Sequence, residues 1–295
     1  MEQVEEQIVR LVDDVGYDEV SRLFKTLTGG KRLRAKLVMK IAPECSDAPL
    51  LGAIIELIHA ASLLHDDVID DAALRRGAPS VNATEGSKTA VMLGDILYSK
   101  AFSALVAFDK GVAQQVANAV TALSVGEMQD VRMADTFNDD ASAYMEMLYN
   151  KTASLIEAAA ASSALLAGKE ASRYALYGKN LGLAFQIIDD ILDIVSDEET
   201  LGKPAMNDYV EGKCTLPYIY LYEALEGEEK ERLKGYHAKK LDAEQSGWVK
   251  AKMDEYGCVA KSYSLARKLS DEAIAAVPEE AELIGIIETM MKRSY

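Results

Sequence analysis

The sequence predicts an all-α protein, and three observations carry that prediction. Alanine and leucine dominate the apolar content, and only 6 of 295 residues are proline, a composition that favours helix. No stretch shows sustained period-2 alternation or a β-branched run, so essentially no sheet is expected. A hydrophobic fraction of 49% supports a substantial core, and no linker-like composition interrupts it. The chain therefore reads as one domain over residues 1–295.

Residues 4–26 are amphipathic and read as one helix, ended by Thr28-Gly29-Gly30. A second helix runs from Arg32 to Ile41 and a third over about 48–71. Arg76-Gly77-Ala78-Pro79 reads as a loop, with Thr84 or Ser87 as the cap of the next helix. Further helices follow over 87–107, 110–134 and 140–168, and another carries LGLAFQIIDDILDIV after Gly178. Residues 199–213 form the longest polar interruption and read as a mobile loop. Thr215-Leu216-Pro217 suits a helix start, since proline is tolerated in a first turn. The charged, amphipathic remainder, 228–295, reads as surface helices.

The net charge of −16, without any basic stripe, argues against a nucleic-acid binder. Cys45, Cys214 and Cys258 show neither disulfide nor metal spacing and fit a reducing cytoplasm as buried or unreactive thiols. The acidic N-terminus MEQVEEQIVR does not resemble a signal peptide. The longest apolar stretch is taken as Ala158 to Gly168, too short to span a bilayer. The expectation is a cytoplasmic protein with no transmembrane segment.

One pattern resists that bland reading. Asp66-Asp67-Val68-Ile69-Asp70 and Asp189-Asp190-Ile191-Leu192-Asp193 repeat the same carboxylate spacing inside apolar helical stretches. Clustered carboxylates repel one another and resist burial, so two such clusters make sense if they share a cation load. The first and fifth residues of each motif lie about 40° apart on a helix, facing the same space. Carboxylates without nearby Cys or paired His suit Mg²⁺, which binds a few of them together with substrate phosphate.

Basic residues accompany the acid. Lys31 and Arg34, three apart after two glycines, could share a helix-start face as an anion cradle. Arg75 and Arg76 follow the first motif, and His59 lies seven residues before Asp66 on the same helical face. Each also has an ordinary reading: a solvated face for Lys31/Arg34, dipole compensation at a helix end for Arg75/Arg76, a hydrogen-bonded core residue for His59.

Together these residues resemble the trans-type polyprenyl diphosphate synthases. GGKRLR (29–34), LLHDDVIDDAALRRG (63–77), Gly94-Asp95, Lys151-Thr152, FQIIDDILD (185–193) and GKPAMND (202–208) occur in that family's order across nearly the whole chain. The departure is Ala35, where many members carry proline. The resemblance implies an all-α bundle with a large central cavity, a homodimer, and Mg²⁺-dependent prenyl transfer with three ions around the bound diphosphate. It implies that Asp66, Asp67, Asp70, Asp189, Asp190 and Asp193 hold the metal. It assigns Lys31, Arg34, His59 and Arg76 to isopentenyl diphosphate, and Arg75, Lys151, Thr152, Gln186, Lys203 and Lys213 to the allylic prenyl diphosphate. Lys203 on the 199–213 loop would then close over the diphosphate. Asn82 and Glu85 receive no role.

In that reading the growing product runs along the helix of the first motif, past Ser62, Ala61 and Ile58, four, five and eight residues before Asp66. Small side chains there predict a product longer than farnesyl, although close packing of a neighbouring helix would equally select Ala61 and Ser62. A short-chain farnesyl or geranylgeranyl diphosphate synthase, a class I terpene cyclase and a non-catalytic partner subunit are the alternatives. The second aspartate motif and the Lys31/Arg34/Arg76 set argue against the last two.

Overall fold

The structure, a computed structural model, describes residues 1–27, 30–195 and 206–292. It is helical, as expected. The sole sheet among these residues is a two-stranded hairpin, β1 (Leu74–Arg75) and β2 (Ala78–Pro79), with Leu74 opposite Pro79 and Arg75 opposite Ala78. The chain divides into two compact units, each assembled from two stretches of chain: Met1–Thr121 with Leu155–Gly178, and Ala122–Ser154 with Lys179–Tyr295.

The first unit contains α1 (Glu2–Asp13), α2 (Asp18–Phe24), α3 (Leu33–Ile41), α4 (Ala48–Ile69), the hairpin, α5 (Val81–Glu85) and α6 (Ser87–Leu105). It also holds the start of α7 (Lys110–Ala134), α9 (Ser154–Leu166) from Leu155, and the start of α10 (Ala171–Val195). The single helix expected over 4–26 is two: Gly16 takes φ +72°, a left-handed conformation that ends α1. The joint is pinned by Ser21 Oγ, which donates to Asp13 Oδ1 at 2.8 Å. The expected caps were also misplaced. Ser80 caps α5 by accepting from the Ala83 amide, and Gly86 precedes α6.

Helix α4 is the centre of this unit, packed against α1, α3 and α6. Its 22 residues and mean hydropathy of 1.5 make it long and apolar enough to cross a membrane, so Ala158–Gly168 was not the most membrane-like stretch. Two thirds of its apolar window (67%) is buried inside the protein, which is how the core helix of a folded domain behaves. Asp71 (φ +48°) turns the chain back after α4, and Arg76 and Gly77 (φ +54° and +78°) form the two-residue hairpin turn. Ser80 fastens the hairpin by donating from Oγ to the Ala72 carbonyl at 2.6 Å.

The second unit contains the remainder of α7 and α10, α8 (Ala141–Leu148), and α11 (Asn207–Val210) to α16. These last are α12 (Leu216–Ala224), α13 (Gly227–Tyr236), α14 (Ala243–Glu255), α15 (Cys258–Ala276) and α16 (Ala281–Met291). Asp140 caps α8 through the Ser142 and Ala143 amides. Between α8 and α9 the expected continuous helix widens into a π-helical turn, Tyr149–Ala153, a feature that often marks functional positions. A Cβ at Gly126 would lie 2.3 Å from the Lys151 nitrogen, so only glycine admits this turn so close to α7. Pro217 sits in the first turn of α12, as its position suggested. Cys214 and Cys258 are buried thiols, their pKa values pushed up by burial to about 12 and about 11.

Candidate active site

In the first unit the basic residues gather around α4. Arg34 and Arg76, with Arg75 and Arg32, press on His59, and burial together with their charges holds that imidazole neutral, its pKa well below the usual value. Gly30 lies directly against Arg76: a Cβ there would come within 2.8 Å of Nη1. Arg34 is pushed down to about 10, first by burial and then by Arg76, against the attraction of Glu56. Its Nε is buried without a hydrogen-bond acceptor among the described residues.

The expectation that Lys31 and Arg34 share one helix face is corrected. Arg32 is left-handed (φ 48°, ψ 43°), α3 begins at Leu33, and Lys31 lies before the helix. Nor are the amides of that helix start wholly available to an anion, because the Ala35 N–H donates to Glu56 Oε1 at 3.0 Å. A proline at position 35 could not make that bond.

The first aspartate motif is divided in its roles. Asp67 is 4% exposed and bound by Arg75, whose Nε and Nη2 both meet Oδ1. Its carbonyl accepts from Asn82 Nδ2 at 3.2 Å, a role the sequence did not reveal. Asp66 and Asp70 close the last turn of α4, half-buried and exposed respectively. Next to them His65 fills the space that a side chain at Gly94 would occupy, its Nε2 3.4 Å from Asp95 Oδ1. Burial, with the charges of Asp66 and Asp95, pushes the neighbouring Tyr98 hydroxyl up to about 12.

In the second unit the second motif is divided likewise. Asp189 is exposed, whereas Asp190 and Asp193 are buried. The four-residue spacing of Asp189 and Asp193 therefore does not put both on one open face. Asp190 accepts from the Tyr144 hydroxyl and, at 3.0 Å, from Gln186 Nε2; Gln186 Oε1 in turn accepts from Thr152 Oγ1 at 3.1 Å. Burial, then Asp208, Asp193 and Asp130, raise the Asp190 pKa well above the usual range. Lys151 does not stand alone: its Nζ lies 2.5 Å from Asp130 and 2.8 Å from Glu127.

Part of the supposed mobile loop is tied down. The Met206 amide donates to the Asp193 carbonyl at 2.8 Å and the Asp208 amide to Asp193 Oδ2 at 3.1 Å. Lys213 Nζ lies 3.0 Å from Glu211 Oε2. Lys203 falls outside the described residues. The chain-length candidates are inside the core: Ile58 and Ala61 are fully buried, and half-buried Ser62 bonds its hydroxyl to the His59 carbonyl at 2.9 Å.

Among the described residues no three Asp, Glu, His or Cys side chains are gathered closely enough to hold a metal ion by themselves. Asp67, Asp190 and Asp193 accept from protein donors; Asp66 is half-buried, and Asp70 and Asp189 are exposed. The two carboxylates at the end of α4, Asp66 and Asp70, fit Mg²⁺, which takes one or two carboxylates and completes its shell with water and substrate phosphate. Glu56, Tyr144, Asp130 and Glu127 were missed in the sequence. Glu56 alone left a signal, a single carboxylate in an apolar run three residues before His59.

Residues 18–253 match the polyprenyl synthetase family. The chain is 33% identical over 299 residues to octaprenyl diphosphate synthase of Escherichia coli, covering 97% of this chain and 91% of that one. It is 37% identical over 246 residues to a short chain isoprenyl diphosphate synthase of Methanothermobacter thermautotrophicus, covering 79% and 76%. Its fold matches octaprenyl pyrophosphate synthase from Helicobacter pylori with TM-score 0.91 and 41% identity, over 99% of this chain and 96% of the other. It matches a polyprenyl synthase from Caulobacter crescentus, solved with calcium and isoprenyl diphosphate, with TM-score 0.87 and 28% identity over 99% and 94%. The chain belongs to the polyprenyl synthetase family.

Proposed function

We propose that this prenyltransferase condenses isopentenyl diphosphate with an allylic prenyl diphosphate to give a longer trans prenyl diphosphate. The observation that carries the reading is the cluster of Arg34 and Arg76 around neutral His59, on the same helix that ends in Asp66 and Asp70. A diphosphate needs cationic contacts to leave water, and Arg34 Nε is a buried donor with no acceptor among the described residues.

In this reading Lys31, Arg34 and Arg76 hold isopentenyl diphosphate, with His59 as a neutral polar neighbour. Arg75, Lys151, Thr152, Gln186, Lys203 and Lys213 serve the allylic diphosphate. Mg²⁺, in three ions held through the two aspartate motifs, would draw charge from the allylic diphosphate and ease rupture of its C–O bond. The double bond of isopentenyl diphosphate then attacks the allylic carbon, and a proton leaves to the released diphosphate. No protein nucleophile is required, so the residues act by positioning and by electrostatic stabilisation. Lys203→Ala tests the closing role of its loop: turnover equal to wild type would refute it.

The small side chains of Ala61 and Ser62 support a product longer than farnesyl, and the short-chain relative from Methanothermobacter supports the alternative of a shorter one. A single domain over 1–295, a cytoplasmic location and a homodimer complete the proposal. The dimer is supported by the exposed apolar residues Val125, Met128 and Val131 on α7. The decisive experiment incubates the purified chain with labelled isopentenyl diphosphate, an allylic primer and Mg²⁺, and sizes the products. Linear prenyl diphosphates support the reading; cyclised hydrocarbons or no product refute it.

A further inference from the structure

We infer that Glu56 is a positioning residue for the isopentenyl diphosphate pocket, acting through Arg32 and the start of α3. The inference rests on the reading given above for Lys31, Arg34 and Arg76.

Glu56 is 4% exposed within an otherwise apolar helix. A buried carboxylate is costly unless its oxygens are satisfied. Here each oxygen meets a different part of the same turn: Oε1 accepts from the Ala35 amide at 3.0 Å, and Oε2 lies 3.5 Å from Arg32 Nη1. Arg32 is the residue that needs holding. Its left-handed backbone is unfavourable for a residue with a side chain and persists when the surroundings over-determine it. A second clamp comes from α1, where Glu5 takes Nε at 2.9 Å and Nη2 at 3.2 Å.

The left-handed turn at Arg32 decides where its neighbours point. It separates Lys31 from the helix and sets the first turn of α3, from which Arg34 projects toward Arg76 and His59. Glu56 also attracts Arg34 directly, against the burial that would otherwise disfavour its charge. Glu56 thus holds the turn together with Glu5 and balances the Arg34 cation.

Two roles for Glu56 predict opposite signs. A carboxylate that only opposes nearby cations would weaken diphosphate binding, so its neutralisation would tighten binding. A carboxylate that holds the turn is needed for binding, so its neutralisation weakens it.

The test is calorimetric titration of isopentenyl diphosphate, without allylic primer, into the full chain and into Glu56→Gln, with thermal unfolding of both. The expectation is a folded variant that binds at least about tenfold more weakly. In turnover, KM for isopentenyl diphosphate should rise while KM for the allylic substrate stays within about twofold. Equal or tighter binding by Glu56→Gln overturns the inference. If that variant does not fold, Arg32→Asn takes its place: asparagine tolerates the left-handed turn but cannot reach Glu56. Weaker binding by Arg32→Asn supports the inference and unchanged binding overturns it. A wild-type chain that binds isopentenyl diphosphate yet forms no product refutes the proposed reaction and leaves the Glu56 result standing. Wild-type failure to bind refutes both.

Discussion

Arg75 and Asp67 form a closed pair in which Nε, at 2.7 Å, and Nη2, at 2.5 Å, converge on the single oxygen Oδ1. Asp67 is buried on the last turns of α4, and the hairpin brings Arg75 back to it. Removing either partner strands the other. Asp67→Asn and Arg75→Gln should each cost about 1–3 kcal/mol of stability, discounted because Arg75 is partly exposed. The double variant should lose less than the two single losses combined. Denaturant midpoints of the four proteins measure this, and strictly additive losses would refute the coupling.

Tyr144 supplies one of the two side-chain hydrogen bonds seen at buried Asp190, the other coming from Gln186. Tyr144→Phe keeps the ring and deletes the donor. The expected loss is about 1–3 kcal/mol, with a lower kcat if the second aspartate motif serves the reaction as proposed. Thr152→Val, one bond further along the chain Thr152–Gln186–Asp190, should cost less. Chemical denaturation and initial rates on the same preparations check the order of the two effects.

His59 sets a pH dependence of stability. Its folded pKa is depressed, so between that value and the ordinary histidine value of about 6.5 the unfolded chain binds more protons than the folded one. Stability therefore rises with pH across this window and falls on acidification, by up to about 1.4 kcal/mol per pH unit from this residue. His59→Gln should lose less Tm than wild type between pH 7.5 and pH 5.5. An identical loss in both proteins would remove His59 from the account.

Ala61 is fully buried on α4. Ala61→Phe should shorten the product if this face lines the path of the growing chain, and overpacking should cost about 1–3 kcal/mol. Product sizing beside thermal unfolding separates the two effects. A destabilised variant with an unchanged product would show that Ala61 is small for packing alone.

Helices α3, α4, α6, α7 and α10 were legible because their causes are local: apolar spacing, few prolines, glycines and polar residues at the ends. The break at Gly16 was not, since one glycine inside an amphipathic run ends a helix only when the chain adopts positive φ there. The π-helical turn at Lys151 depends on the close approach that Gly126 permits, a contact between segments distant in sequence.

The site shows the same division. Residue type and spacing alone determined that this chain carries two DDxxD helices, a basic turn at 31–34 and arginines after the first motif. They also led to the expectation that hard oxygen donors and a diphosphate belong together here. Only the tertiary structure decided which aspartates are occupied by the protein itself. Asp190 meets Tyr144 from 46 residues away, Asp67 meets Arg75 through a hairpin, and Glu56 meets Arg32 and Ala35 from another helix. The physical reason is that a helix specifies the direction of a side chain, whereas its burial and its hydrogen-bond partner depend on which distant segment packs against it.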